Sequence, residues 1–229
     1  PIQCVWPDGI FKVGIKFSKT YRFTDINYKV ASREDKETMF LAYSELLNGL
    51  DSAATTKLTI CNRRQSQADF EQSVLMSMRG DGLDKYRQEY NQMLIDKATG
   101  ANGIIQEKLV TVTVYKRDIE DARAYFTRIG ADLTARFAAL GSKCVELDAA
   151  DRLRILHDFY RAGDEGSFHF DMADMARKGH DFKDYICPDG IEKHSDYLKL
   201  GDRYCRVLFL KDYANYIQDE IVADLTDLN

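Results

Sequence analysis

The chain has 229 residues, of which 45% are hydrophobic and 30% charged, and its formal net charge is −5. That composition fits a globular protein with a sizeable core and supplies no global basic field to gather nucleic acid or an anionic membrane. No apolar run nears the roughly 20 residues of a membrane-spanning helix, and three prolines argue against a flexible string of domains.

Residues 10–13 and 17–30 read as two strands joined at Gly14, with Tyr21 and Phe23 on one face and Arg22 and Thr24 on the other. Ser32 then stands at a helix N-cap, with Asp35 three residues on. In the helix that follows, Met39, Phe40, Tyr43, Leu46, Leu47 and Leu50 recur by threes and fours and are expected to be buried. Residues 57–62 form a short strand with Leu58 and Ile60 facing one way. Two helices, 67–78 and 83–99, are expected next, broken at Gly80-Asp81-Gly82. Residues 106–115 are the clearest strand, because Val110, Val112 and Val114 alternate with Thr111, Thr113 and Tyr115. Asp118 opens the clearest helix, striped by Ile119, Ala122, Phe126, Ile129, Leu133, Phe137 and Leu140 and stopped by Gly141. A short strand over 144–147 follows. Asp148 caps a last helix carrying Leu153, Leu156, Phe159 and Tyr160.

Over residues 17–162 this order predicts an α+β domain, a ferredoxin-like split β-α-β sandwich with extra helices. A doubly wound parallel sheet is the competing arrangement. Residues 162–166 read as a linker. Residues 1–16 and 163–229 are expected to form a small β-rich subdomain from the two chain ends. In it, residues 180–186 form an extended arm, and Cys187-Pro188-Asp189-Gly190 a turn. Strands 192–198 and 203–211 make a hairpin across Gly201-Asp202. The second of these strands carries Cys205, Val207, Leu208, Phe209 and Leu210 on both faces and must be covered on both. The favoured cover is a small sheet shared with the opening strands, under a helical lid over 213–228. The other is a further stretch of chain or a second copy. The chain starts at Pro1 rather than at methionine and stops just after that strand, so it is expected to be a piece of a longer protein.

Five cysteines, Cys4, Cys61, Cys144, Cys187 and Cys205, are odd in number and widely spaced. They read as reduced thiols in a cytoplasmic protein. No Gly-Lys pair occurs, so the phosphate-loop pattern is missing, and Gly80-Asp81-Gly82 reads as a helix break. His157, His169, His180 and His194 lack metal-ligand spacing. His180, Cys187 and His194 make the only loose cluster, and ordinary surface histidines account for it. His157 falls on the polar half of its helix. Asp148 and Asp151 read as helix capping; Asp171, Asp174, Asp181 and Asp184 read as a solvated face. Arg63-Arg64 is a modest basic knot, either an exposed strand end or a contact for phosphate or an acidic patch. Tyr185, Tyr197, Tyr204, Tyr213 and Tyr216 crowd the late chain, as interface or as core packing. No catalytic, cofactor-binding or metal residue is assigned.

Four strings carry a family resemblance. They are Ser18-Lys19-Thr20-Tyr21-Arg22-Phe23-Thr24-Asp25-Ile26-Asn27-Tyr28 running on into Ser32-Arg33-Glu34-Asp35-Lys36-Glu37, Tyr90-Asn91-Gln92-Met93-Leu94, Gly179-His180-Asp181-Phe182-Lys183-Asp184-Tyr185, and Arg206-Val207-Leu208-Phe209-Leu210-Lys211. Together they resemble the N-terminal region of the large conjugation ATPases of type IV secretion systems, nearest to the branch carried by integrative conjugative elements of Gram-positive gut bacteria. The resemblance spans essentially the whole chain. It implies a non-catalytic region ahead of a RecA-like motor that uses ATP and Mg. It also implies docking at the cytoplasmic face of the membrane channel, contact with other secretion subunits, and an oligomer in the full-length protein. No motor motif is present here, so no catalytic residue carries over and no ATP turnover is expected. The alternative is a single-stranded nucleic-acid-binding module that uses Tyr21, Phe23 and Arg63-Arg64 on a ferredoxin-like sheet. An enzyme built around His157, Asp158 or the His180 region is the third reading.

Overall fold

The computed structural model describes residues 2–26, 28, 30–64, 75–100, 104–212, 215–216, 221 and 224. Among these the fold is mixed α+β. The strands are β1 (Cys4–Val5), β2 (Phe11–Val13), β3 (Lys16–Phe23), β4 (Thr55–Arg64), β5 (Ile104–Tyr115), β6 (Cys144–Glu146), β7 (Ile191–Lys193), β8 (Leu198–Leu200) and β9 (Arg203–Cys205). The helices are α1 (Arg33–Asn48), α2 (Asp84–Gly100), α3 (Ile119–Ala139), α4 (Ala149–Tyr160) and α5 (Met172–Lys178). The chain divides into two compact units. One comprises Pro1–Cys61, Glu107–Ile155 and Phe170–Phe182; the other comprises Asn62–Gln106, Leu156–His169 and Lys183–Asn229. Among the described residues no helix is long and apolar enough to cross a membrane.

In the first unit β3 is the hub of an antiparallel sheet. One edge pairs with β5, from Lys16↔Tyr115 to Phe23↔Lys108. The other edge is shared: β2 takes Lys16 to Ser18, and β6 takes Tyr21 to Phe23. The sheet order is β1-β2-β3-β5-β4, with β6 on β3. Strand alternation puts Phe17, Lys19 and Tyr21 on one face with Val114, Val112 and Val110 opposite them in register. That face buries against Ala122, Phe126, Ile129, Leu133 and Phe137, the stripe of α3. Lys19 shares the face and is 7% exposed; its ammonium pairs with Glu146 at 2.5 Å, which keeps the buried charge partnered. The three expected caps are formed: Ser32, Asp118 and Asp148 accept the backbone N–H groups of Asp35, Asp121 and Asp151 at 3.1, 2.9 and 2.9 Å.

Several expectations are corrected. The opening strands β1 and β2, expected in the small subdomain, extend the larger sheet through β3. A two-residue turn at Gly14 and Ile15 brings β2 onto β3, so little loop entropy is lost in the pairing. β3 stops at Phe23, well short of residue 30. In α1 only Leu46 is buried, while Phe40, Tyr43 and Leu47 stay exposed. Its contact with α3 is at its C-terminal end, where the Arg136 guanidinium donates to the Glu45 carbonyl at 3.2 Å, so the apolar residues nearer its start are left uncovered. Leu58 and Ile60 share a face of β4, but an exposed one. Residues 75–78 are not helical, and the rest of the expected 67–78 helix lies outside the described residues.

In the second unit β7, β8 and β9 form a three-stranded antiparallel sheet, with the β8–β9 hairpin turning at Gly201-Asp202 as expected. The run 192–198 is interrupted: the backbone N–H of His194 donates to the Tyr197 carbonyl at 3.0 Å, and the chain turns between β7 and β8. This turn also shortens the last strand. β9 ends at Cys205, opposite Leu198, because β8 offers no ladder beyond that pair. The expected arm at 180–186 is instead a tight turn over Phe182–Tyr185, with Phe182 and Ile186 buried. The expected lid over 213–228 lies almost wholly outside the described residues.

Candidate functional site

The first unit carries an open apolar groove of about 320 Å³. Phe23 and Ile26, at and just beyond the end of β3, form one wall, Met39, Phe40 and Tyr43 of α1 another, and Phe137 and Leu140 at the end of α3 the floor. The Phe23 ring stacks on Phe137 with centroids 4.8 Å apart. Phe40 is 65% exposed, so its ring is presented to solvent.

The polar groups at the groove spend their hydrogen bonds on one another. The Ser142 hydroxyl donates to the Thr24 carbonyl at 2.6 Å. The Lys143 N–H donates to the Thr24 hydroxyl at 2.9 Å, and the Thr24 N–H to the Lys143 carbonyl at 3.0 Å. Asp25 is held by the Lys108 ammonium, and the Lys36 ammonium sits over the Tyr28 ring at 5.3 Å. The exposed surface of the groove is therefore mostly apolar, and its charged groups are already paired.

The second unit holds a buried polar cluster. His157 is 2% exposed, which corrects its assignment to a polar helix face. Its Nδ1 lies 3.2 Å from Asp158 Oδ1, and its Nε2 lies 3.4 Å from Ser167 Oγ. The other carboxylate oxygen of Asp158 lies 3.6 Å from the Arg63 guanidinium, so this half of the basic knot turns inward. Asp, His and Ser in that order invite comparison with a hydrolase triad, but the proton is committed elsewhere. The Ser167 hydroxyl donates to the Asp164 carbonyl at 2.9 Å, leaving a lone pair towards His157. The cluster ties the end of α4 to the turn after it.

The remaining sequence candidates resolve into structural roles. Tyr21 is fully buried and its hydroxyl donates to the Phe126 carbonyl at 3.3 Å, so its ring is not a stacking platform for bases. Around Gly80-Asp81-Gly82, the Arg87 guanidinium clamps Asp81 and Asp84 at 2.5 and 2.6 Å. The Arg79 and Gly80 N–H groups donate to the Asp84 carboxylate. The hydrogen bond from Arg87 holds Asp81 down at about 2. The loop therefore gathers carboxylates before α2 and offers no cradle for phosphate. His194 stacks on Tyr197 and lies 3.5 Å from Glu192. The Cys187 carbonyl accepts from Arg161 at 2.6 Å. Among the described residues no group of three His, Cys, Asp or Glu side chains could hold a metal ion. Tyr197 meets Tyr204 edge to face, and Tyr204 is largely exposed. Of the groove residues the sequence singled out Phe23 alone, and for base stacking, because periodicity counts apolar positions without saying which go uncovered.

Cys144 sits in β6 under α3, and burial pushes its thiol up to about 11. At pH 8 a thiol-alkylating reagent followed by mass spectrometry should modify the exposed Cys4 and Cys187 promptly and Cys144 only after unfolding.

No protein-family model matches the chain, and no curated protein matches it at a significant level.

Proposed function

We propose that the chain is a non-catalytic docking domain and that its groove takes an apolar segment of a partner protein. The observation that carries this reading is the groove itself: aromatic walls open to solvent, with the polar groups around it already satisfied. In this proposal the four strands β4-β5-β3-β6 are a ferredoxin-like split β-α-β sheet, in which α1 and α3 are the crossover helices and the groove lies at their shared end. The parent protein is a conjugation ATPase of the type IV secretion kind, as the resemblance of the four strings implies. The partner is then the C-terminal motor of the same polypeptide or a neighbouring secretion subunit at the cytoplasmic face of the membrane. ATP and Mg belong to the motor.

The test uses this chain and the motor segment as separate purified polypeptides, with binding followed by calorimetry. A complex is expected, and Phe40→Asp is expected to weaken it at least about tenfold, as loss of an aromatic anchor does. The far-UV spectrum should not change, because Phe40 is already exposed. Equal binding by the variant, or ATP turnover by the purified chain alone, overturns the proposal.

A further inference from the structure

β9 is the edge strand of the small sheet and ends at Cys205, yet the chain does not turn there. Residues 206–211 run on without a turn or bend. No backbone hydrogen bond joins them to any other described residue. Within this run Val207, Leu208, Phe209 and Leu210 are 72, 82, 82 and 63% exposed. Four consecutive large apolar side chains are exposed, on a stretch whose peptide groups have no ladder among the described residues, which combines two needs in one segment.

We infer that residues 206–211 are a strand-donating element that pairs with the open sheet edge of a different protein, one carrying an acidic side chain at each end of the paired stretch.

Three features select that occupant. Alternation puts Val207 and Phe209 on one face and Leu208 and Leu210 on the other, so both faces need an apolar cover. A strand that becomes internal to a partner's sheet gains that cover together with its ladder, which is the physics of strand addition. Arg206 and Lys211 bracket the apolar run, and opposite charges directly across a strand pair are favourable. A second copy is the wrong partner. Antiparallel pairing of the segment with itself puts Arg206 opposite Lys211 at both ends, and parallel pairing puts Arg206 opposite Arg206.

The test uses the full chain and two blocked synthetic peptides, Glu-Val-Thr-Val-Thr-Glu and its charge-swapped twin Lys-Val-Thr-Val-Thr-Lys. Amide hydrogen exchange at residues 207–210 is followed by NMR while each peptide is titrated in. The acidic peptide is expected to slow exchange there and to bind at least about tenfold more tightly than the basic one, a difference that shrinks with added salt. Leu208→Asp and Phe209→Asp are expected to abolish the protection while leaving the fluorescence of Trp6 and the far-UV spectrum unchanged. Equal protection by both peptides, or by neither, overturns the inference. So does a dimer in sedimentation that Phe209→Asp dissolves, which assigns the segment to a second copy. Co-sedimentation with vesicles of phosphatidylcholine and phosphatidylglycerol, lost in the same variant, assigns it to a lipid surface and equally overturns the inference. The outcome is read separately from that of the groove, because the two tests use different variants and different readouts.

Discussion

Arg152→Met is expected to lower the unfolding midpoint of the first unit by about 10 °C, since it removes about 3 kcal/mol and a chain of this size shifts roughly 2–4 °C per kcal/mol. The Arg152 Nη1 donates to the carbonyls of Gly9 and Ser18, both at 2.7 Å, and its Nη2 donates to the Ser18 hydroxyl at 3.2 Å. The guanidinium plane also lies 3.8 Å from the Phe11 ring centroid. One side chain of α4 thus fastens the 7–9 turn, β2 and β3 together. Burial pulls the guanidinium down to about 9, so it stays protonated at neutral pH and all its N–H groups remain donors. Methionine keeps the apolar stem over Phe11 but leaves two carbonyls without their donor, and each such loss costs about 1–3 kcal/mol. Arg152→Lys should be intermediate, because a single ammonium cannot reproduce the planar fork. The readout is the fluorescence of Trp6, the single tryptophan, which packs on Phe17 with ring centroids 5.9 Å apart. Loss of less than about 3 °C in the methionine variant would show that water replaces the lost donors.

How far the sequence reveals this protein depends on whether a residue's partner lies in its own pattern. The β5 alternation at Val110, Val112 and Val114 and the α3 stripe from Ala122 to Phe137 each fill a whole face, and each face is buried. Caps were equally legible, because Ser32, Asp118 and Asp148 bond to groups three residues away. What failed depends on a second element whose length the pattern does not contain. The stripe of α1 is as regular as that of α3, yet only Leu46 reaches the core and Phe40 is left at the groove. The last strand is apolar through Leu210, but its ladder stops at Cys205 because β8 turns away. His157 is polar and sits in a helix, and only the fold shows it buried against Asp158 and Ser167. The groove was illegible for the same reason. It consists of residues that follow the rules for a core but end at the edge of one.

Gly9→Ala is expected to destabilise the same unit by about 3–4 kcal/mol, again seen as a fall of about 10 °C in the Trp6 transition. Two costs add at this position. Gly9 has φ +76°, a left-handed conformation that costs an alanine roughly 1–2 kcal/mol. A Cβ there would also lie 2.0 Å from the Leu147 carbonyl oxygen, which is backbone and has little room to retreat. The Leu147 N–H donates to the Thr20 carbonyl at 3.0 Å, and the Ala149 N–H donates to the Pro7 carbonyl at 3.3 Å, so the chain is pinned on both sides of the clash. The Gly9 carbonyl is moreover one of the two carbonyls that accept from Arg152, and moving it loosens that clamp as well. Gly14→Ala separates the two costs. Gly14 has φ +60°, but a Cβ there meets nothing within 4 Å, so only the conformational cost of about 1 kcal/mol applies. If the two alanine variants fall by the same amount, the close approach of the 7–9 turn to residue 147 carries no weight. If Gly9→Ala falls further by about 2 kcal/mol, as the overlap requires, the 7–9 turn is locked to β6 and α4 by backbone contact.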